Sequence, residues 1–166
     1  MITGVDYFKT RNHWDQVSKK IVFTGKIDEY FDYCHGELEY RTLNFTHVFS
    51  PVENVQGVPV INYTSDEVSW TRSIEHKHFE NVKTPHTVVT YETPEAWAKG
   101  KEPYYPVNDS HNNSLVDEYN KDVSMLTNVI FGGRLAKYKY YDMDQVIASA
   151  LVSAEKFLNN RSKKRK

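Results

Sequence analysis

Residues Val129–Ile147 read Val-Ile-Phe-Gly-Gly-Arg-Leu-Ala-Lys-Tyr-Lys-Tyr-Tyr-Asp-Met-Asp-Gln-Val-Ile. The apolar run and the glycine pair behind it predict a short buried strand, Val129 to Gly133, that runs into a turn. Beyond it, Met143, Val146, Ile147, Ala150, Leu151, Ala154, Phe157 and Leu158 recur at three- and four-residue steps, which predicts a helix with one apolar stripe. Asp142 stands where it can cap that helix, and Gln145 three positions later completes a capping-box pattern. A strand, a glycine turn and a helix N-terminus together receive phosphates and electron-rich ring atoms, because unpaired backbone N–H groups and the positive end of the helix dipole point the same way.

Working back along the chain, Ile21 to Gly25 has the same form, a short apolar run ending at a glycine, and predicts a second buried strand. Ile27 to Tyr33 predicts a helical turn that Gly36 breaks. Apolar and polar residues alternate over Leu38–Phe49, Val58–Tyr63, Trp70–Phe79 and His86–Glu92, with Pro, Gly, Asn and Asp between the runs. Four such runs in succession predict an antiparallel sheet. His111 to Met125 predicts a helix. The fold class expected is therefore α+β: a largely antiparallel sheet followed by helices, closed by a strand–glycine–helix unit.

The composition is that of an ordinary globular domain: 166 residues, 39% hydrophobic and 26% charged. A formal net charge of −1 gives no overall field to attract nucleic acid or an acidic membrane. The concentrated charge is the basic run Arg161–Lys166, expected to be a solvated helix end. One cysteine, Cys34, excludes an internal disulfide framework and fits a reducing cytoplasm. No apolar run approaches the roughly 18 residues a membrane helix needs. Tyrosine is in surplus, at twelve copies, and its phenol donor on an apolar ring suits a polar ligand site.

The words FGGRLAKYKYYDMDQVI (Phe131–Ile147), FTGKIDEYFDYCHGELEYRTL (Phe23–Leu43), NYT (Asn62–Thr64), TRSIEHKHF (Thr71–Phe79) and EPYYPVND (Glu102–Asp109) resemble, in one order and at consistent spacing, the C-terminal part of the UDP-galactopyranose mutases. The resemblance covers nearly the whole chain. It implies an isomerase that interconverts UDP-galactopyranose and UDP-galactofuranose with reduced FAD, supplying galactofuranose for cell-surface glycans. In such enzymes flavin N5 attacks the anomeric carbon, UDP leaves, and the sugar opens and recloses on the flavin. The nucleophile belongs to the cofactor, which agrees with the lack of a Ser-His-Asp word or a Walker loop in the sequence. The family's glycine-rich dinucleotide fingerprint lies in its N-terminal half, and no G-x-G-x-x-G occurs here. This stretch is accordingly expected to be colourless and inactive by itself. Residues 36–110 would form the substrate-side sheet, and residues 1–35 and 126–160 would belong to the FAD-binding domain. Apolar surface left bare by the missing half would favour self-association, with a homodimer as the expected form.

The resemblance also assigns residues. Arg72 matches the arginine that grips the diphosphate, Tyr105 and Tyr140 match phosphate-binding tyrosines, and Asn62 matches an asparagine that contacts the substrate. These side chains are expected to line one cleft. Arg134 matches an arginine beside the flavin, and Tyr141, Asp142, Met143, Asp144, Gln145 and Val146 form the segment where the last helix's backbone meets the cofactor. Arg41 and Glu92 also stand at matching positions. The chain departs from the family pattern at Lys26, where proline is common and a relaxed turn is the expected effect. It departs again at Trp70 and at Thr93, both near the substrate residues, where tyrosine is usual.

Other features carry less. His76 and His78 would share one face of a strand, but zinc needs three or four ligands and the neighbourhood offers no further Cys or His pattern, so no metal is expected. Asp28, Glu29 and Asp32 read as a solvated acidic face, and Cys34 as a plain packed or surface thiol. Two other functions stay open on the sequence. One is an amine-oxidase-like flavoprotein, which should lack the Arg72, Tyr105 and Tyr140 set. The other is a non-catalytic module that binds sugar nucleotides.

Overall fold

A computed structural model describes residues 1–163, and side chains as far as residue 159. The basic run Arg161–Lys166 lies outside the described side chains. In chain order the elements are α1 (Arg11–Val17), β1 (Ile21–Phe23), α2 (Ile27–Tyr30), β2 (Tyr40–Ser50), β3 (Val60–Asn62), β4 (Arg72–Glu75), β5 (Thr87–Ala96), β6 (Tyr105–Pro106), α3 (Ser110–Met125), β7 (Val129–Phe131), α4 (Gly133–Ala136) and α5 (Met143–Lys163). The chain is thus mixed α and β, and it divides into two compact units. One is the continuous segment Tyr40–Tyr104. The other combines Met1–Glu39 with Tyr105–Lys166.

The two-segment unit is held by aromatic rings. β1 and β7 pair in parallel, Ile21 opposite Val129 and Phe23 opposite Phe131. Phe23 and Phe131 are buried, and their rings lie 5.8 Å apart. Tyr30 meets Phe131 edge-on at 4.8 Å, and Phe31 stacks on Tyr119 of α3 at 5.9 Å. Such ring pairs add to the area term that burial already supplies. The turn after β1 requires a glycine at position 25, since a Cβ there would stand 2.7 Å from Cζ of the buried Phe23 ring. α2 stops where Asp32 and Tyr33 turn left-handed, at φ 51° and 57°, a costly conformation for residues with a Cβ.

Several expectations change in this unit. Asp28 is no part of a solvated face. It is buried, its Oδ2 accepts the N–H of Leu38 at 3.0 Å, and its backbone oxygen accepts Tyr33 N–H at 2.8 Å. Glu29 is half-buried, and only Asp32 of the three is exposed. Lys26 does more than relax a turn. Its φ of −67° is one proline could share, yet its side chain is buried and Nζ donates to Tyr33 Oη at 3.2 Å. The apolar stripe of α5, by contrast, is left bare as expected for this stretch: Met143, Ile147, Leu151 and Leu158 are all more than half exposed. The sheltered row is Val146, Ser149, Ser153 and Phe157, where Lys137 Nζ donates to Ser149 Oγ at 2.7 Å.

The continuous unit is a sheet in the order β3-β4-β5-β2, antiparallel throughout. Its burial is largely polar: Thr42, Ser73, Glu75, Thr87, Thr90 and Glu92 are buried beside Tyr40 and Val89. Glu75 is the anchor. It is fully buried, and its two oxygens accept the N–H groups of Val55 (3.1 Å), Gln56 (2.9 Å) and Gly57 (3.2 Å), which folds the β2–β3 connection back onto β4. Burial pushes this carboxyl up, but the N–H groups of Gln56 and Val55 outweigh it and hold the pKa down at about 2. The strand expected over Trp70–Phe79 ends at Glu75. His76–His78 form a 3-10 turn instead, so the two histidines do not share a strand face. His76 Nε2 bonds Thr90 Oγ1 at 2.6 Å, while His78 Nε2 sits 3.1 Å from Glu75 Oε2.

Candidate substrate and cofactor site

The residues singled out in the sequence gather into two clusters, one in each unit. In the continuous unit the register sets Asn62 of β3 opposite Arg72 of β4, and Arg72 opposite Glu92 of β5. Directly opposed side chains on neighbouring strands touch, and these do. Arg72 Nε donates to Asn62 Oδ1 at 3.0 Å, and Arg72 Nη1 lies 3.5 Å from Glu92 Oε2. Arg72 is therefore aimed by a partner on each flank. Its side chain stays 45% exposed while that of Glu92 is 10% exposed, so the row ends in a fixed, accessible guanidinium. Glu92, a position the sequence marks only by family match, acts here by orienting Arg72. Arg41 is not in this row. It pairs with Ala96, four positions along β2 from Phe45, the partner of Glu92.

Trp70 and Thr93, the two departures, frame the row. Trp70 lies 4.9 Å from Tyr91 and 6.1 Å from Tyr63, so the larger indole fills space between two tyrosines that adjoin Glu92 and Asn62 in sequence. Thr93 pairs with Asn44 of β2 and continues β5.

In the two-segment unit, α4 begins directly after Gly132, and Gly133 adopts φ 81°. Arg134 in α4 faces Tyr140 with its Cζ 4.9 Å from the ring centroid, and Tyr105 at 5.6 Å. The two tyrosine rings stack 5.6 Å apart at 27°. Arg134 Nε donates to the backbone oxygen of Tyr141 at 2.7 Å, which ties α4 to the segment entering α5. Four predicted residues, Tyr105, Arg134, Tyr140 and Tyr141, thus meet in one place. Sequence reasoning missed the residue that positions them, Tyr138. It is buried, its hydroxyl bonds both the N–H and the C=O of Val107 at 3.1 Å, and it donates to Glu39 C=O. Burial pushes its phenol up to about 12. Its φ of 44° reverses the chain between Arg134 and Tyr140. The tyrosine-rich word KYKYY held the signal without showing which ring turns inward.

Asp142 directly precedes α5, and one of the two bonds of a capping box is present, from Asp142 N–H to Gln145 Oε1 at 3.1 Å. Val146 N–H closes the first turn on Asp142 C=O at 3.0 Å. Met143, Asp144 and Gln145 carry the N–H groups that helix geometry leaves without intrahelical acceptors. Asp142 and Asp144 put two carboxylates at this helix start, which disfavours a phosphate there and suits a neutral acceptor such as a ring carbonyl. Beside it stand the Arg134 cation and the stacked tyrosines. The donor set fits the ring edge of a flavin better than its pyrophosphate.

A family profile described as UDP-galactopyranose mutase matches residues 1–140. The chain belongs to the UDP-galactopyranose mutase family. It is 40% identical over 148 residues to the UDP-galactopyranose mutase of Mycoplasma pneumoniae, covering 86% of this chain and 37% of that protein. It is 38% identical over 141 residues to a dTDP-fucopyranose mutase of Escherichia coli, covering 84% of this chain and 37% of the other. A probable UDP-galactopyranose mutase of Klebsiella pneumoniae is 36% identical over 141 residues, at 84% and 36% coverage. The chain therefore spans a little over a third of the length of these curated relatives. Tyr141 to Val146 lie just beyond the residues that the family profile matches. No helix among the described residues is long and apolar enough to cross a membrane.

Proposed function

We propose that this chain is the C-terminal portion of a flavin-dependent mutase that interconverts UDP-galactopyranose and UDP-galactofuranose, in the cytoplasm, for galactofuranose-containing surface glycans. The observation that supports this best is Arg72, an accessible cation whose direction is set in advance by Asn62 and Glu92. When the bond between sugar and diphosphate breaks, negative charge grows on the departing phosphate oxygens. A donor already in place stabilises that charge without reorganising, and this is where an arginine contributes most. Asn62, with Arg72 held on its Oδ1, presents its amide to the same ligand. Tyr105 and Tyr140 offer phenol donors to phosphate, held together by their stacking and by the Arg134 guanidinium.

Reduced FAD, when bound, supplies the nucleophile, so no protein side chain is needed in that role. Arg134 and the backbone of Tyr141 to Val146 would hold its ring. Arg41 lies outside the Arg72 row, and Glu92 serves by positioning Arg72.

The relatives' names carry two nucleotides and two sugars, so sequence likeness does not choose between them. The test is a pyranose–furanose interconversion assay under dithionite on the full polypeptide, with UDP-galactose and dTDP-fucose in parallel. Turnover of UDP-galactose supports the proposal. Preference for dTDP-fucose keeps the mutase chemistry and overturns the substrate. Turnover of neither, with FAD bound, overturns both.

A further inference from the structure

We propose that Cys34, His35 and Asp122 form a binding site for a divalent zinc-type ion, separate from the residues assigned to substrate and flavin. Among the described residues these three form the one group whose ligand atoms converge, all within 4.8 Å of one another. His35 Nε2 lies 2.7 Å from Asp122 Oδ2, and Cys34 Sγ lies 3.9 Å from the same oxygen. A thiolate, an imidazole and a carboxylate are the donor types that select zinc over the hard cations. Three ligands leave a fourth position for water, which the exposure of Cys34 and His35 allows.

The geometry is built from both sides. On one side, the turn after α2 is fixed by its own backbone. Cys34 N–H donates to Phe31 C=O at 3.1 Å and Gly36 N–H to Tyr33 C=O at 2.9 Å, and Gly36 sits at φ 115°. On the other side, α3 carries Tyr119 and Asp122 one turn apart, hence on one face. Tyr119 is fully buried. Its hydroxyl donates to Gly36 C=O at 2.6 Å and accepts His35 N–H at 3.3 Å, while its ring meets the His35 ring edge-on at 5.0 Å. That anchor holds the turn where Asp122 reaches both Cys34 and His35. An ion here would cross-link the turn to α3, a connection otherwise made by Tyr119.

A divalent ion displaces the thiol proton of Cys34 when it binds, so affinity should rise with pH.

Cobalt(II) is the probe, titrated into the full polypeptide with its thiols reduced. The expected result is a near-ultraviolet thiolate-to-cobalt charge-transfer band, with visible bands of a four-coordinate ion, both bleached by zinc. Cys34→Ser should abolish the charge-transfer band. His35→Gln and Asp122→Asn should each weaken binding by roughly tenfold or more, the scale that even outer-sphere changes reach. Circular dichroism and mutase turnover of Cys34→Ser should match the parent, which separates this test from the one above. No charge-transfer band, a band that survives Cys34→Ser, or unchanged affinity in the other two variants would each show that His35 and Asp122 form only a hydrogen-bonded pair.

Discussion

The two units keep their shape by different physics. In the two-segment unit, rings from β1, α2, α3 and β7 close on one another, and Ile27, Leu38 and Tyr119 are excluded from water. In Tyr40–Tyr104, one sheet is held by ladder hydrogen bonds, and its buried side chains are mostly hydroxyls and carboxylates. An aromatic core resists loss of volume poorly, because a removed ring leaves a cavity. A polar sheet is instead sensitive to a single lost acceptor. The clusters inherit this difference. Asn62, Arg72 and Glu92 are placed by strand register, whereas Arg134, Tyr105 and Tyr140 are placed by a tight reversal around buried Tyr138.

The comparison can be broken most directly at Phe131. Phe131→Ala should destabilise the protein by about 3–5 kcal/mol, read by urea denaturation. Hydrogen exchange should show β1 and β7 losing protection while β2 and β5 keep it. Equal loss in both units would mean that they unfold as one and that the distinction has no energetic content.

Arg72→Ala should lose about 2–4 kcal/mol in kcat/KM of the full polypeptide, with little change in stability, because the side chain is half exposed. Crossing it with Tyr140→Phe sharpens the comparison. A coupling energy within about 0.5–3 kcal/mol marks one ligand drawing on both clusters, and strict additivity marks independent roles.

Glu75→Gln should cost roughly 1–3 kcal/mol, since the amide cannot replace a carboxylate that accepts three N–H groups. The pH dependence has a definite sign. The folded pKa, about 2, lies below the ordinary value of about 4.3. The contribution is therefore complete above that ordinary value and is lost as pH falls through the folded one. The Tm gap between parent and variant should be flat above about pH 5 and should close toward pH 2. A gap that widens in acid would remove Glu75 as the anchor.

Asp142→Ala should have the smallest effect, about 0.5–2 kcal/mol on stability, together with weaker FAD binding in the full polypeptide. Retention of FAD at parental affinity would detach the α5 N-terminus from the cofactor.

Much of the fold was legible because it repeats locally. The four alternating runs became β2 to β5, and the helices expected from His111 and after Asp142 begin within a residue of those positions. What stayed hidden depends on distant partners. Asp28 is buried because Leu38, ten residues on, donates to it. The parallel pairing of β1 with β7 spans the whole intervening sheet unit. α1 lacks an apolar period and docks through the Arg11 guanidinium, 4.3 Å from the Tyr30 ring. Within the candidate site, residue types and family words indicated Arg72, Tyr105, Arg134 and Tyr140. The positioning by Glu92 and Tyr138 came from register and burial, which no single residue type announces.

The outward row on α5 has a practical consequence. Met143, Ile147, Leu151 and Leu158 face water, while the sheltered row includes two serines. That row is the apolar surface expected to be left bare on a stretch a little over a third of its relatives' length, so charges placed there address the isolated segment and not the full polypeptide. Charged replacements at Leu151 and Leu158 should make the segment easier to keep in solution, and replacements at Ser149 or Ser153 should loosen the helix. Shortened retention on a hydrophobic-interaction column, with unchanged helical circular dichroism, would mark the first outcome.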